Sequence, residues 1–382
     1  MKRITNWLEH RVSAPTFSGW VLIGISICFL GAAINTMAGW LYVISGVSFA
    51  LLGVAAFLPP RSLTGLTVNR LNIEPVTVKD DLTIELRIVN QTKKAVSLLQ
   101  AEDILPFVLG KPVRKGIENI NPGDNYRWKY HHTTERRGIY RWHNVELASG
   151  APLGLFWSRR QHNCEAIAFV YPTVLPLTHC PLIDDIGLEE SIKGDPIGRP
   201  LQTASDGIIR SLRPYRPGDP MRLVHWRSSA RYGELRVREL DLLTGGQDVI
   251  IALDSSQSWS ENNFEQAVTT AASLYFYALK QQMQVQLWTA KTGLVKGKQV
   301  VLETLAGTLS REDSTTELET KYPVIWLSEN SATLTNLPLG SRWVLWSNPN
   351  SFEKEIINQY SPGIILDSEQ PLQLELQRYL TK

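Results

Sequence analysis

Between residues 12 and 60 the chain carries no Asp, Glu, Lys or Arg, and no other feature limits its possible folds as tightly. Residues 20–34 and 39–58 are strongly apolar, with Asn35, Thr36 and Met37 between them. A membrane-spanning helix takes roughly 20 apolar residues, so the stretch accommodates two spans and a tight turn. Helices also satisfy their backbone polar groups internally, as lipid requires. Pro59 and Pro60 are expected to stop the second helix where it leaves the bilayer. A cleaved signal peptide has a single short apolar core, which the second span does not fit. Lys2, Arg3 and Arg11 precede the first span, Arg61 and Arg70 follow the second, and the turn is uncharged. By the positive-inside rule, a two-span cell-membrane protein results, with the N-terminus and everything beyond the hairpin in the cytoplasm.

Charge outside this stretch is balanced. The whole chain has 39 basic and 37 acidic side chains, a net charge of +2, which gives no global pull toward nucleic acid or an anionic surface. Cys28, Cys164 and Cys180 fall in no C-x-x-C spacing, so neither a disulfide framework nor a zinc site is legible.

Four regions are expected: a transmembrane hairpin (1–62), a β-sandwich of immunoglobulin-like form (63–172), a linker with an arginine-rich segment (173–246), and a doubly wound α/β domain (247–382). In the second region, residues 82–88 alternate apolar and polar, as do 126–130 and 140–147. Asn121-Pro-Gly-Asp124 has the chemistry of a tight turn. Short strands at this spacing suggest a sandwich. His131 and His132 are adjacent, so on a strand their rings point to opposite faces and cannot chelate together; with His143 they read as surface residues.

The pattern then changes. Residues 248–254 form a short apolar strand ending in Asp254, and 262–282 place Phe264, Val268, Ala271, Ala272, Tyr275 and Leu279 at helical steps. Further strands are expected at 285–289, 300–302, 324–327, 343–346 and 364–366, with a closing helix at 372–380. Alternating strands and helices imply a mainly parallel sheet covered on both faces, with binding at the carboxyl ends of its strands. Asp254-x-Ser256-x-Ser258 lies at such an end. One carboxylate and two hydroxyls on one loop suit a hard cation such as Mg²⁺; a serine-rich loop capping the next helix has the same composition.

Residues 210–240 hold eight arginines and no lysine, against Asp219, Glu234 and Glu239. Arginine is favoured where a planar fork grips carboxylate or phosphate. With Tyr215, Trp226 and Tyr232 interleaved, the segment reads as an internal guanidinium–aromatic network, a docking surface for an acidic partner, or an anion site. No recognised nucleic-acid motif accompanies it. No G-x-S-x-G, Walker A, H-E-x-x-H or C-x-x-C motif appears, so catalysis is not expected. His225, Asp219 and Ser229 could be written as a triad, but residues so close in sequence seldom converge on one substrate atom.

Three stretches together resemble the bacterial family catalogued as domain of unknown function 58. Arg137-Gly-Ile-Tyr140 followed by Pro152-Leu-Gly-Leu-Phe156 is similar to its "RGxY … DPxGLF" pattern, with Ala151 where Asp is usual. Arg213, Tyr215, Gly218, Asp219, Arg222, Trp226, Ser229 and Arg231, then Arg238 and Glu239, follow its most specific signature, with His225 in place of an expected Asp and Val224 in place of an Ile. Asp254, Ser256 and Ser258 follow at the family's distance. The resemblance implies a membrane-anchored protein with a sandwich and a von Willebrand factor type A-like domain, whose third strand is an antiparallel edge. It also implies work with a MoxR-type AAA+ ATPase and a transglutaminase-like membrane protein. A type A metal site would need a further Thr and a carboxylate past the fourth strand, for which Thr308 and Glu329 are the candidates. The expected function is therefore a non-catalytic interaction or assembly module; the alternatives are a scaffold with a decayed metal site and a membrane-surface enzyme.

Overall fold

The structure, a computed structural model, describes residues 13–186, 208–216, 224–241, 248–316, 318, 322–338, 340–346, 362–366 and 370–380. It divides into two compact units, 1–172 and 173–382.

The first unit opens with strand β1 (Ala14–Pro15) and two helices, α1 (Phe17–Thr36) and α2 (Gly39–Ser62). Both are long and apolar enough to cross a membrane. At 1.5 Å per residue, the 20 residues of α1 reach about 30 Å, the thickness of a bilayer's hydrocarbon core. Ile27, Ile34, Trp40, Val43, Val47 and Val54 stand exposed, whereas the faces between the helices are lined by Ser26, Ala33, Leu41, Ser45, Leu52 and Ala55. Small residues let the two backbones approach, and the Ser45 hydroxyl donates across the gap to the Ser26 carbonyl at 3.1 Å.

Pro59 and Pro60 do not stop α2, contrary to expectation; the helix continues to Ser62. A proline at 60 has no N–H for the carbonyl four residues earlier. Ser13 fills the vacancy, donating its hydroxyl to Ala56 O at 2.8 Å. A partner outside the helix thus offsets the defect that ordinarily ends one.

Among the described residues the strands of the unit are β1, then β2 (Leu66–Arg70), β3 (Val76–Thr77), β4 (Asp81–Asn90), β5 (Val96–Asp103), β6 (Val113–Ile120), β7 (Asn125–Thr133), β8 (Gly138–Ser149) and β9 (Phe156–Tyr171). They form a sheet ordered β2-β4-β7 and a second ordered β1-β9-β8-β5-β6, with β3 also on β9. The alternation in β4 places Leu82, Ile84, Leu86 and Ile88 inside, all at 0% exposure. They share one core with Leu99, Ala101, Ile117, Trp142, Val145 and Leu147 of the facing sheet, which makes the unit a β-sandwich. The Asn121 turn is closed by Asp124 N donating to Asn121 O at 3.1 Å, with Gly123 at a positive φ of 76°.

A polar staple crosses the sandwich core. Asp103, at the end of β5 and fully buried, accepts from Arg70 Nη2 at 2.9 Å, Trp142 Nε1 at 3.1 Å and the Tyr130 hydroxyl at 2.7 Å. The Arg70 guanidinium lies over the Trp142 ring, 4.8 Å from its centroid. Burial, and then the neighbouring Asp103 charge, raise the Tyr130 phenol far above its ordinary value, so it stays a neutral donor.

The second unit contains a short helix α3 (Pro181–Asp184), a two-stranded ribbon and a six-stranded sheet. Leu177, Cys180, Leu182 and Ile183, expected in a linker, are instead buried in the core of this sheet. The sheet comprises β12 (Asp248–Leu253), β13 (Gln284–Thr289), β14 (Gly293–Val295), β15 (Val324–Ser328), β16 (Arg342–Trp346) and β17 (Gly363–Leu366), in the order β14-β13-β12-β15-β16-β17. All pairs are parallel except β13–β14. The antiparallel edge is therefore 293–295, and residues 300–302, expected as a strand, belong to a helix (Lys298–Gly307). The adjacent Val300 and Val301 suggest a strand, but Val301 and Leu305, four apart, are the pair that turns inward.

Alternation along β12 sends Val249, Ile251 and Leu253 to one face. They pack there with the long helix Glu261–Lys280, with Val301 and Leu305, and with Leu376 of the closing helix Leu372–Leu376. Ile250 and Ala252 face the other way, toward Trp288, Val324, Leu318 and Trp326. Among the described residues, the covering element on that face is a 3-10 turn (Ser331–Asn336) through Leu334.

Candidate functional site

The strand order reverses between β12 and β15, and open α/β sheets bind ligands at such switch points, outside the carboxyl ends of the strands. Asp254 stands there, one residue past β12, tied to β15 by its N–H to Leu327 O at 3.0 Å. Its side chain is buried, at 3% exposure. Oδ1 accepts the Ser256 hydroxyl and Oδ2 the Ser328 hydroxyl, both at 3.0 Å. Ser328 is in turn approached by the Thr333 hydroxyl at 3.2 Å. Burial raises the Asp254 carboxyl above its ordinary value, and the hydroxyl bonds from Ser256, Ser328 and Thr333 partly counter this.

Two residues that the sequence did not single out hold this loop. Trp259 donates Nε1–H to Asp254 O at 2.6 Å and packs edge-on against Phe264 and Trp346. The buried Ser255 hydroxyl accepts from Ala290 N at 3.1 Å, fastening the loop to the end of β13. Each had a weak signal, as an aromatic one residue after the Asp-x-Ser-x-Ser run and a serine inside it.

Other expected ligands point elsewhere. Ser258 does not join Asp254; its oxygen accepts from Arg311 Nε at 3.0 Å and Nη2 at 2.7 Å. Glu329 accepts from Ser260 N at 2.9 Å and Asn263 Nδ2 at 2.8 Å, fixing the start of the Glu261–Lys280 helix. Thr308 is buried and donates to Thr304 O at 2.7 Å. Of the expected metal residues, the structure brings together Asp254 and Ser256, and adds Ser328.

The arginine-rich segment forms an antiparallel ribbon of β10 (Ile208–Pro214) and β11 (Arg236–Asp241), in which Arg213 pairs with Val237, Arg238 with Leu212 and Glu239 with Ser211. Tyr215 extends it, its N–H donating to Leu235 O at 2.8 Å. Between the strands lies a helix α4 (Trp226–Tyr232). His225 is its N-cap, Nδ1 accepting from Ser228 N at 3.2 Å, the bond that an Asp in this place would accept. Ser229 donates to His225 O at 3.1 Å and accepts from Arg236 N at 2.8 Å. Its hydroxyl thus ties helix to strand rather than facing the imidazole as a triad would require. Trp226 and Arg231 are exposed on α4. Gly218, Asp219 and Arg222 lie outside the described residues.

Ribbon, helix, Asp254 loop and the segment to Arg311 form one continuous stretch, and residues 211–311 match the family model described as "Protein of unknown function DUF58". That stretch of the chain is of the DUF58 kind. Over 283 residues it is 23% identical to the uncharacterized protein YeaD of Bacillus subtilis (strain 168), a match covering 69% of this chain and 66% of YeaD. The chain thus spans just under two thirds of that relative's length. Among solved structures, the CARDB domain of a Pyrococcus furiosus protein is similar at 12% identity and a TM-score of 0.19, covering 27% of this chain and 93% of that domain. A β-glucosidase of Listeria innocua is similar at 12% identity and a TM-score of 0.16, covering 28% of this chain and 16% of the enzyme. Within the matched stretch, Arg213, Arg238 and Glu239 lie on the ribbon, Trp226, Ser229 and Arg231 on the capped helix, and Asp254 and Ser256 on the loop at the switch point.

Proposed function

We propose that this DUF58 chain is a non-catalytic, membrane-anchored interaction module whose cytoplasmic α/β unit, of the von Willebrand factor type A kind, docks a MoxR-type AAA+ ATPase at the rim around Asp254. Two lipid-facing helices anchor it, and the transglutaminase-like membrane protein is a further member of the assembly. The observation that carries this reading is a buried carboxylate at the switch point of a sheet ordered 3-2-1-4-5-6 with an antiparallel third strand. Its described side-chain partners are hydroxyls, and none is paired with a histidine or lysine base that would make it a nucleophile.

Oxygen donors suit Mg²⁺ in kind. In charge and number the set falls short of a type A metal site, because Glu329 is committed to a helix start and Ser258 to the Arg311 guanidinium. These residues do not fit the metal, and we read the rim as a metal-independent contact. Asp254 would act there through its hydrogen-bonded loop, whose outward groups include Gln257, Ser258 and Arg311.

Purified full-length chain in lipid nanodiscs is expected to bind the MoxR-type ATPase of the same organism. Asp254→Ala should weaken that binding by about tenfold or more, with EDTA making no difference. Absence of binding, or binding indifferent to Asp254→Ala, overturns the proposal. Calorimetric titration with Mg²⁺ or Mn²⁺ is expected to be silent; saturable heat with a rise in melting temperature would restore the metal-dependent form. Resistance to carbonate extraction, and a cytoplasmic signal from a reporter fused after Lys382, test the anchoring.

A further inference from the structure

The Pro152-Leu-Gly-Leu-Phe156 stretch is the part of the sequence that the proposed function leaves unused, and in the structure it is seated on the helical hairpin. Thr16, the N-cap of α1, donates its N–H to Leu155 O at 2.9 Å and sets its hydroxyl against Gly154 O at 3.1 Å and Leu155 O at 3.0 Å. Gly19 lies so close that a Cβ there would overlap the Leu155 carbonyl oxygen. Leu155 and Phe156 pack among Leu22, Ile23, Leu52, Ala55 and Ala56.

Leu22 and Ile23 are five and six residues inside α1, about 8–9 Å along its axis. Because α1 is only as long as the hydrocarbon core is thick, it has no spare length to lift this contact into water. The backbone of the turn sits nearer the start of α1, beside Thr16 and Gly19, and irregular backbone at the edge of the hydrocarbon still needs internal partners. The turn has them: Gly154 and Leu155 carbonyls face Thr16, and Gly154 N donates to Gly150 O at 2.7 Å.

Two leucines beside this seat remain uncovered, Leu153 at 48% and Leu98 at 50% exposure. Leu98 O accepts from Gly150 N at 3.4 Å. Its neighbour Leu99 pairs with Ser149, whose hydroxyl meets that of Ser62, the last residue of α2, at 3.1 Å. Leu98 has a positive φ of 51°, uncommon for a leucine. At the same end Arg61 lies over the Phe57 ring, 4.0 Å from its centroid, where a cation meets anionic headgroups.

We propose that Leu98 and Leu153 enter the boundary between headgroups and acyl chains, so that the sandwich is lipid-seated rather than hung on a tether. This rests on the helices being membrane spans, and its test separates the two ideas. Bimane is attached at Leu98→Cys, Leu153→Cys, Leu30→Cys and Phe107→Cys, each in a Cys28→Ala chain. Cys164 and Cys180 are buried, and burial pushes the Cys180 thiol up to about 12, so neither competes for label. Phe107 is 97% exposed and lies past the far end of β5, beyond roughly 16 Å of strand from Leu98.

In nanodiscs, lipids with a doxyl quencher near the headgroup are expected to quench label at 98 and 153. Deep-chain doxyl should quench label at 30, and neither should quench it at 107. Quenching at 30 without quenching at 98 and 153 overturns the lipid seat and leaves the spans standing. Equal quenching at 107 also overturns it, and no quenching at 30 overturns both ideas.

Discussion

Asp103→Ala is expected to destabilise the sandwich by about 3–5 kcal/mol, because it leaves a buried guanidinium with no anion. Arg70 and Asp103 have side chains only 1% and 0% exposed, and their 2.9 Å bond joins the sheet of β2 to the sheet of β5. Among the described residues, Arg70 Nε and Nη1 are buried without hydrogen-bond partners, so no second acceptor there replaces the lost carboxylate. Trp142 Nε1 and the Tyr130 hydroxyl would lose their acceptor as well. Denaturant titration of the full chain in detergent, followed by tryptophan emission, measures the effect. Tyr130→Phe removes only one hydrogen bond to a charged group and should cost about 1.5–3 kcal/mol. Arg70→Met with Asp103→Leu, which removes both charges and refills the space, should recover most of the Asp103→Ala loss. A loss for Asp103→Ala no larger than that for Tyr130→Phe would mean that water or another group solvates Arg70, and the staple would not be structural.

Gly19→Val tests a second contact of the same unit. Its Cβ would fall on the Leu155 carbonyl, and overpacking of this kind costs about 1–3 kcal/mol. A lower melting midpoint in detergent is expected, whereas Gly24→Val, with open space around the position, should leave it unchanged.

What the sequence discloses follows from the distance over which a signal acts. The alternation in residues 82–88, the Asn121 turn and the apolar steps of the Glu261–Lys280 helix are local, and the structure has each of them in place. Asp254 at a strand end is local too. The Asp103 staple joins residues 27, 33 and 39 positions apart, and Ser328 reaches Asp254 across 74; neither pairing leaves a mark in any short window. The errors have the same origin. Pro59 and Pro60 predict a stop from local chemistry alone, while the hydroxyl that lets the helix continue belongs to Ser13, 43 positions from its acceptor. Ser258 fits a ligand pattern by spacing, but Arg311, 53 positions on, claims its oxygen.

Trp259→Ala is expected to cost the α/β unit about 3–5 kcal/mol, as for other buried aromatics cut to alanine. Trp259 is 7% exposed, with ring centroids 5.7 Å from Phe264 and 5.4 Å from Trp346. Its second task bears on function, because the 2.6 Å bond from Nε1 to Asp254 O fixes the backbone from which the carboxylate projects. Trp259→Phe separates the two, keeping an aromatic body while deleting the N–H, for about 1 kcal/mol of stability. If the rim around Asp254 is the docking surface, Trp259→Phe should weaken ATPase binding several-fold in a chain that still melts cooperatively near the parent temperature. Unchanged binding, alongside a tenfold loss for Asp254→Ala, would mean that the carboxylate acts without help from its loop. Unchanged binding in both variants would move the docking surface away from this end of the sheet altogether.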